Sequence, residues 1–250
     1  LGVLVDKPIF SLISSLKGDG KKSVALNESL FYPPLRAVDS VNADIYCSMN
    51  EIDTSMQTLH GGKIDEFFEV GFIRQNQPST GEGLSHEFVQ WKNHRVFVAL
   101  FAPIQVSEIK NVFSQWGQSE LENFVVQFFA CCSSFPHIGF VFKEKKGELK
   151  LLDSQLVDKF SKYKNCFLIR SDVPRDLRYD QFEDVLGAVD LVVSMSHTST
   201  TIWQAISIDI PFIAVNDAHS PSFLSEFQHF ECRSDEISTK LNFWLSVGEQ

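Results

Sequence analysis

The sequence is poor in several things, and each shortage removes a class of protein. Its 250 residues hold five cysteines, Cys47, Cys131, Cys132, Cys166 and Cys232. They show no paired metal-ligand spacing, and an odd count of so few thiols points to a reduced, cytosolic setting rather than a disulfide framework. No apolar run reaches the roughly 18 residues of a membrane-spanning helix. Basic charge is also short: 22 Lys and Arg against 32 Asp and Glu give a net charge of -10. Broad nucleic-acid binding needs a basic surface, so no nucleic-acid partner is expected. A local basic pocket for a phosphorylated ligand remains compatible with that charge. Internal repeats at solenoid periods and low-complexity tracts are missing as well. What the chain has in quantity is phenylalanine, 23 in all, within a hydrophobic content of 44%. That composition is of a folded globular chain.

One stretch organises the rest. Asp190 to Met195 is a short apolar run, suited to a strand buried on both faces. Ser196 to Thr201 then places five hydroxyls and one imidazole in a turn. Ile202 to Ile208 fits a short helix, and Ile210 to Val215 returns as a strand. Such a unit implies a parallel pair with a right-handed crossover. A helix N-terminus leaves about four N–H groups unpaired and carries roughly half a positive charge. Ser199, Thr200 and Thr201 at that end suit a phosphate group. The competing reading is that they only cap the helix.

Along the chain, strands are expected at Ser23–Leu26, Ala43–Ser48 and Phe67–Ile73, with a helix at Glu51–His60 closed by Gly61 and Gly62. Residues 76–93 begin polar and turn-forming and are read as a linker. After them the rhythm is regular: strand 95–101, helix 119–133, strand 137–142, helix 155–162, strand 166–169, helix 179–188, and then the organising stretch. Residues 234–247 read as an amphipathic helix packing back. The order predicts a doubly wound parallel sheet. The domain expectation is a partial Rossmann-like lobe over 1–75, a linker over 76–93, a second Rossmann-like domain over 94–233 and a C-terminal helix over 234–250.

The run Ala188-Val-Asp-Leu-Val-Val-Ser, then His197-Thr-Ser-Thr-Thr-Ile-Trp-Gln-Ala and Pro211-Phe-Ile resembles the C-terminal domain of GT-B glycosyltransferases, the bacterial surface-polysaccharide types above all. Val41-Asn-Ala-Asp-Ile-Tyr-Cys, with Ile64 and Val70-Gly-Phe, resembles the end of their acceptor domain. His137 to Lys143 is similar to their strand ending in Lys-x-His-Pro. The resemblance covers about residues 20–75 and 95–220 in order. It implies an α/β, GT-B-like fold: a Rossmann-type parallel sheet with helices on both faces, plus part of a second Rossmann-like lobe.

It also implies a function. A sugar would pass from a nucleotide-sugar donor to a glycan or lipid-linked acceptor at the cytoplasmic side, with the protein peripheral to the inner membrane. No obligatory metal and no cofactor are implied, because helix ends and basic side chains replace the cation. His197, Ser199, Thr200, Thr201, Gln204 and Lys143 are the expected donor and phosphate binders. Pro103 and Asn216 are expected in loops facing the cleft, and Glu28 is the candidate base. The pattern departs from the family at Gln204, where a Glu is usual. Only Lys143 remains of Lys-x-His-Pro, and Asn27-Glu28-Ser29 replaces Gln-His-Gly. The start at Leu1 and the length lead us to expect other domains in a longer polypeptide. Rival readings are a nucleotide-sugar epimerase, a polyol-phosphate transferase, and a binding protein that keeps the fold without catalysis.

Overall fold

The computed structural model describes residues 22–26, 42–48, 54–55, 58, 63–70, 83–104, 117–145, 148–170, 182–196, 199–217, 224 and 229–247. The chain divides into two compact units, Leu1–Gln75 and Asn76–Gln250.

The first unit holds a parallel three-stranded sheet, β1 (Val24–Leu26), β2 (Asn42–Ser48) and β3 (Lys63–Glu69), in that spatial order. β2 is central, and Ala43 and Tyr46 are its buried anchors. Tyr46 packs edge-on against Phe67 of β3 at 5.9 Å. The expected strand 67–73 instead begins at Lys63. As an edge strand β3 leaves Lys63, Asp65 and Glu66 exposed, so charge there does not oppose strand formation. Only residues 54, 55 and 58 of the expected helix 51–60 are described, and all three are helical.

The second unit holds a six-stranded parallel sheet in the order β6-β5-β4-β7-β8-β9. Its strands are β4 (Val98–Ala102), β5 (Gly139–Lys143), β6 (Cys166–Ile169), β7 (Leu191–Ser194), β8 (Phe212–Val215) and β9 (Glu231–Cys232). The sequence runs outward from β4 to β6, returns to the centre at β7, and runs outward again to β9. All of β4, β7 and β8 is buried, as continuous apolar runs require when helices cover both faces.

The helices are α1 (His86–Asn93), α2 (Gln118–Ser134), α3 (Ser154–Lys159), α4 (Phe182–Leu186), α5 (Thr200–Ser207) and α6 (Ile237–Val247). One face of the sheet packs under α2 and α6: Phe101, Phe140 and Phe142 meet Phe124, Phe128, Ile237 and Leu241. Phe128 lies 5.1 Å from Phe101 and 5.4 Å from Phe142, both rings edge-on. The other face packs under α1, α4 and α5 through Phe88, Val185, Leu186, Ile202 and Ala205. Helix α1 falls inside the stretch expected as a linker. The Ser85 hydroxyl caps it by accepting the Phe88 N–H at 3.1 Å, and Phe88 is fully buried. Here one aromatic anchor outweighs polar flanks.

Candidate functional site

The C-terminal ends of the strands in the second unit gather most of the described candidate residues. β4 and β7 are neighbours, with Ala102 opposite Ser194. The Met195 N–H donates to the Ala102 carbonyl at 3.1 Å, so the pairing continues to the strand ends. Strand order reverses between these two strands, and in open α/β sheets that is where a crevice for ligands forms. Pro103 follows β4 directly and is buried.

The turn after β7 is built from its own polar groups. The Ser194 hydroxyl donates to the Ser196 carbonyl at 3.2 Å, and the Ser199 N–H donates to the same carbonyl at 3.2 Å. Ser199 has extended backbone, φ -68° and ψ 134°, and its hydroxyl accepts the Thr201 N–H at 3.3 Å. Ser199 is therefore the N-cap of α5, and its oxygen is engaged in that role. α5 begins at Thr200, two residues earlier than its apolar pattern suggests, because the cap and the threonines extend it. Thr200 is half-buried; Thr201 and Gln204 are 7% and 6% exposed. Side chains on a helix lean toward its N-terminus, so Gln204 leans over Thr200 and Thr201. No acidic residue occupies the first turn of α5. At α2 the situation is opposite: Glu120 accepts the Gly117 N–H at 2.9 Å and places a carboxylate on that helix end. Of these two helix starts, α5 keeps its positive partial charge uncompensated by an acidic residue in its first turn.

Lys143 ends β5, half-buried and in register with Ile169. The next residue, Glu144, is 5% exposed and accepts the Leu149 N–H at 3.1 Å. Lys143 thus stands at a packed strand end and not in a freely solvated charge run. Asn216 follows β8 directly, at 7% exposure. Strand alternation puts it on the face of Ala214, which α5 covers. Its Nδ2 donates to Glu231 at 2.7 Å. Asp217 accepts the Ser234 N–H at 2.8 Å, and Asn123 of α2 donates to it at 3.4 Å. That carboxylate ties β8, α2 and the turn leading to α6 together. Glu231 escapes sequence reading, as do the partnerships of Asn216 and Asp217, because the partners lie 15 and 17 residues away, or on another helix, with no local pattern to announce them.

Pro103, Lys143, Ser199, Thr200, Thr201, Gln204 and Asn216 thus lie at one edge of one sheet. Glu28 and His197 fall outside the described residues. Among the described residues no group of three His, Cys, Asp or Glu side chains is arranged to hold a metal ion. No helix among them is long and apolar enough to cross a membrane.

No protein-family model matches the chain, and no curated protein matches it in sequence. Solved structures do. A Listeria monocytogenes protein assigned as a UDP-N-acetylglucosamine 2-epimerase superposes with a TM-score of 0.64 at 13% identity, over 96% of this chain and 63% of its own. HepE of Anabaena, solved with UDP and glucose, gives 0.58 at 12%, over 97% and 67%. The UDP-GlcNAc 2-epimerase of Methanocaldococcus jannaschii, solved with UDP-GlcNAc and UDP, gives 0.57 at 14%, over 81% and 54%. The chain therefore spans about two thirds of the first two structures. At these identities the likeness concerns the fold, and the fold is GT-B-like: Rossmann-type parallel sheets flanked by helices.

Proposed function

We propose that this chain is the donor-binding domain, with part of the acceptor lobe, of a glycosyltransferase that takes a sugar from a nucleotide-sugar donor to a surface-glycan or lipid-linked acceptor. One observation carries the reading. The α5 N-terminus, with hydroxyls at Ser199, Thr200 and Thr201 and no first-turn acid, sits beside the point where strand order reverses. Helix-start amides and the hydroxyl of half-buried Thr200 there hold the diphosphate, and their dipoles stabilise the charge that develops as the sugar leaves. Gln204 meets a hydroxyl or a phosphate oxygen, since a carboxamide both accepts and donates. Lys143 and His197 add positive charge, Pro103 and Asn216 line the donor, and Glu28 removes the acceptor proton. The chemistry needs no resident metal and no cofactor. The enzyme works at the cytoplasmic face, peripheral to the inner membrane.

A second reading, a nucleotide-sugar epimerase, is favoured by the superposition on structures bearing that assignment. One experiment separates the two. The chain is screened by thermal shift against UDP, GDP, CMP and their sugars, and the sugar of any stabilising ligand is analysed after incubation. Release of sugar to water or to an added glycan supports the transferase. A change of stereochemistry with the nucleotide still attached supports the epimerase. Stabilisation without either change supports a catalytically silent binder, and no stabilisation removes the nucleotide-sugar reading altogether.

A further inference from the structure

The strands β4, β5 and β6 are parallel, so the connections that enter them share the sheet edge opposite the proposed donor crevice. Hydrogen bonds lock these three connections together. The Lys164 carbonyl, ahead of β6, accepts the Arg95 Nη2–H at 2.8 Å and the Trp91 Nε1–H at 3.2 Å, both ahead of β4. The Asn165 carboxamide donates to the carbonyls of Cys132 at 3.0 Å and Phe135 at 3.1 Å, ahead of β5. The charge on this face is of one sign, although the chain carries -10. Lys92 lies in the last turn of α1 and Lys159 ends α3; Arg95, Lys162 and Lys164 follow in the connections. Exposed His94 and His137 join them. Residues 91–97, 133–138 and 159–165 contain no Asp or Glu. Asp158 precedes the third of these stretches, and Asp190, under the neighbouring β7, is engaged by the Val98 N–H at 2.8 Å. Among the described residues none of the five Lys and Arg side chains is paired with an acid. Lys92 and Lys159 also suit the negative ends of their helices, but exposed Lys162 and Lys164 lie beyond any helix end. Beside them Val96 is 96% exposed.

We propose that this face seats the protein on a bilayer rich in acidic phospholipids, with the cations over the headgroups and Val96 entering between them. The proposal rests on the reading of the chain as peripheral to a membrane and gives that reading a surface. Each Lys or Arg held near an anionic leaflet strengthens partitioning by about fivefold, and an apolar side chain beside them supplies the second signal that a stable surface contact needs. A nucleic acid would use the same cations but also stack bases on exposed rings. Here Trp91, Phe97 and Tyr163 are half-buried, and the exposed side chain is aliphatic. The donor crevice lies at the other end of the five-residue β4, about 16 Å away, so a seated chain keeps it clear of the lipid.

The test is co-sedimentation of the whole chain with vesicles of phosphatidylglycerol and phosphatidylcholine in equal parts, with pure phosphatidylcholine as control and a UDP thermal shift on the same preparations. The expected result is binding to the mixed vesicles alone, falling steeply as salt is raised. Lys162→Gln with Lys164→Gln weakens that binding by about twentyfold to thirtyfold. Val96→Ser weakens it severalfold without changing its salt dependence. These positions are exposed and far from the crevice, so melting and the UDP response stay as in the wild type. A folded chain that ignores the mixed vesicles overturns the docking face, and a UDP shift in that same preparation leaves the donor site standing. Equal binding to both kinds of vesicle, undiminished binding by the double variant, or capture by RNA in place of vesicles would each overturn it as well.

Discussion

The carbonyl of Ala102 accepts the amide of Met195 at 3.1 Å, although 93 residues of chain separate them. That bond joins the last residue of β4 to the first beyond β7 and fixes the loop of one βα unit beside the loop of another. Ser196 and the residues from Ser199 to Thr201 acquire their position at the sheet edge from it. The same contact marks where strand order reverses, so fold and proposed site share one origin.

Gln204 separates function from stability. It is 6% exposed, one helical turn from Thr200 and Thr201. Gln204→Leu keeps the volume and removes the polarity. Since a buried polar group without strong pairing contributes little, stability is expected to hold or rise slightly. Nucleotide affinity is expected to fall by about fivefold to tenfold, the worth of one hydrogen bond. Urea titration and isothermal calorimetry on the same preparation check both halves.

Ser199→Ala removes the cap of α5. The loss of the bond to the Thr201 N–H is expected to cost about 1 kcal/mol in chemical denaturation. Ser199→Gly should cost only a few tenths of that.

Asp217→Ala tests the clamp at the end of β8. It strips the acceptor from the Ser234 N–H and from Asn123. A loss of about 2 kcal/mol is expected, with faster hydrogen exchange in α6.

Cys131 gives the pH dependence. Burial pushes its thiol from the usual 9.0 up to about 11, opposed by the Ser238 hydroxyl. The folded state therefore holds the proton that the unfolded chain releases. Its contribution is complete below pH 9 and is lost as pH rises toward 11. Cys131→Ala is expected to flatten that alkaline decline, measured by urea midpoints at successive pH values.

Much of the second unit was legible because its strands are buried on both faces. Phe-Val-Ala-Leu-Phe before Ala102 and Leu-Val-Val-Ser at 191–194 leave no other state for so much apolar surface. β6 lies at 166–169 as read, and α2 differs by one residue at each end. β3 was misread because its polar residues face solvent at a sheet edge. Helix α1 left a signal, Ser85 followed by Phe88 and Trp91, which the surrounding glycines and polar residues outweighed. The hydroxyl turn after β7 was visible as a polar turn between a buried strand and a helix. The Ser199 cap was the competing reading of that turn and is local; what the sequence could not display were the ties of Asn216 and Asp217, since those depend on distant partners.

The most direct test is a backbone amide NMR titration with a nucleoside diphosphate. Binding at the proposed place shifts the amides of Ser199 to Gln204 first and most, together with Asn216. If the nucleotide moves amides only elsewhere, or none at all, the start of α5 is a capped helix end and nothing more, and the donor-site account is wrong.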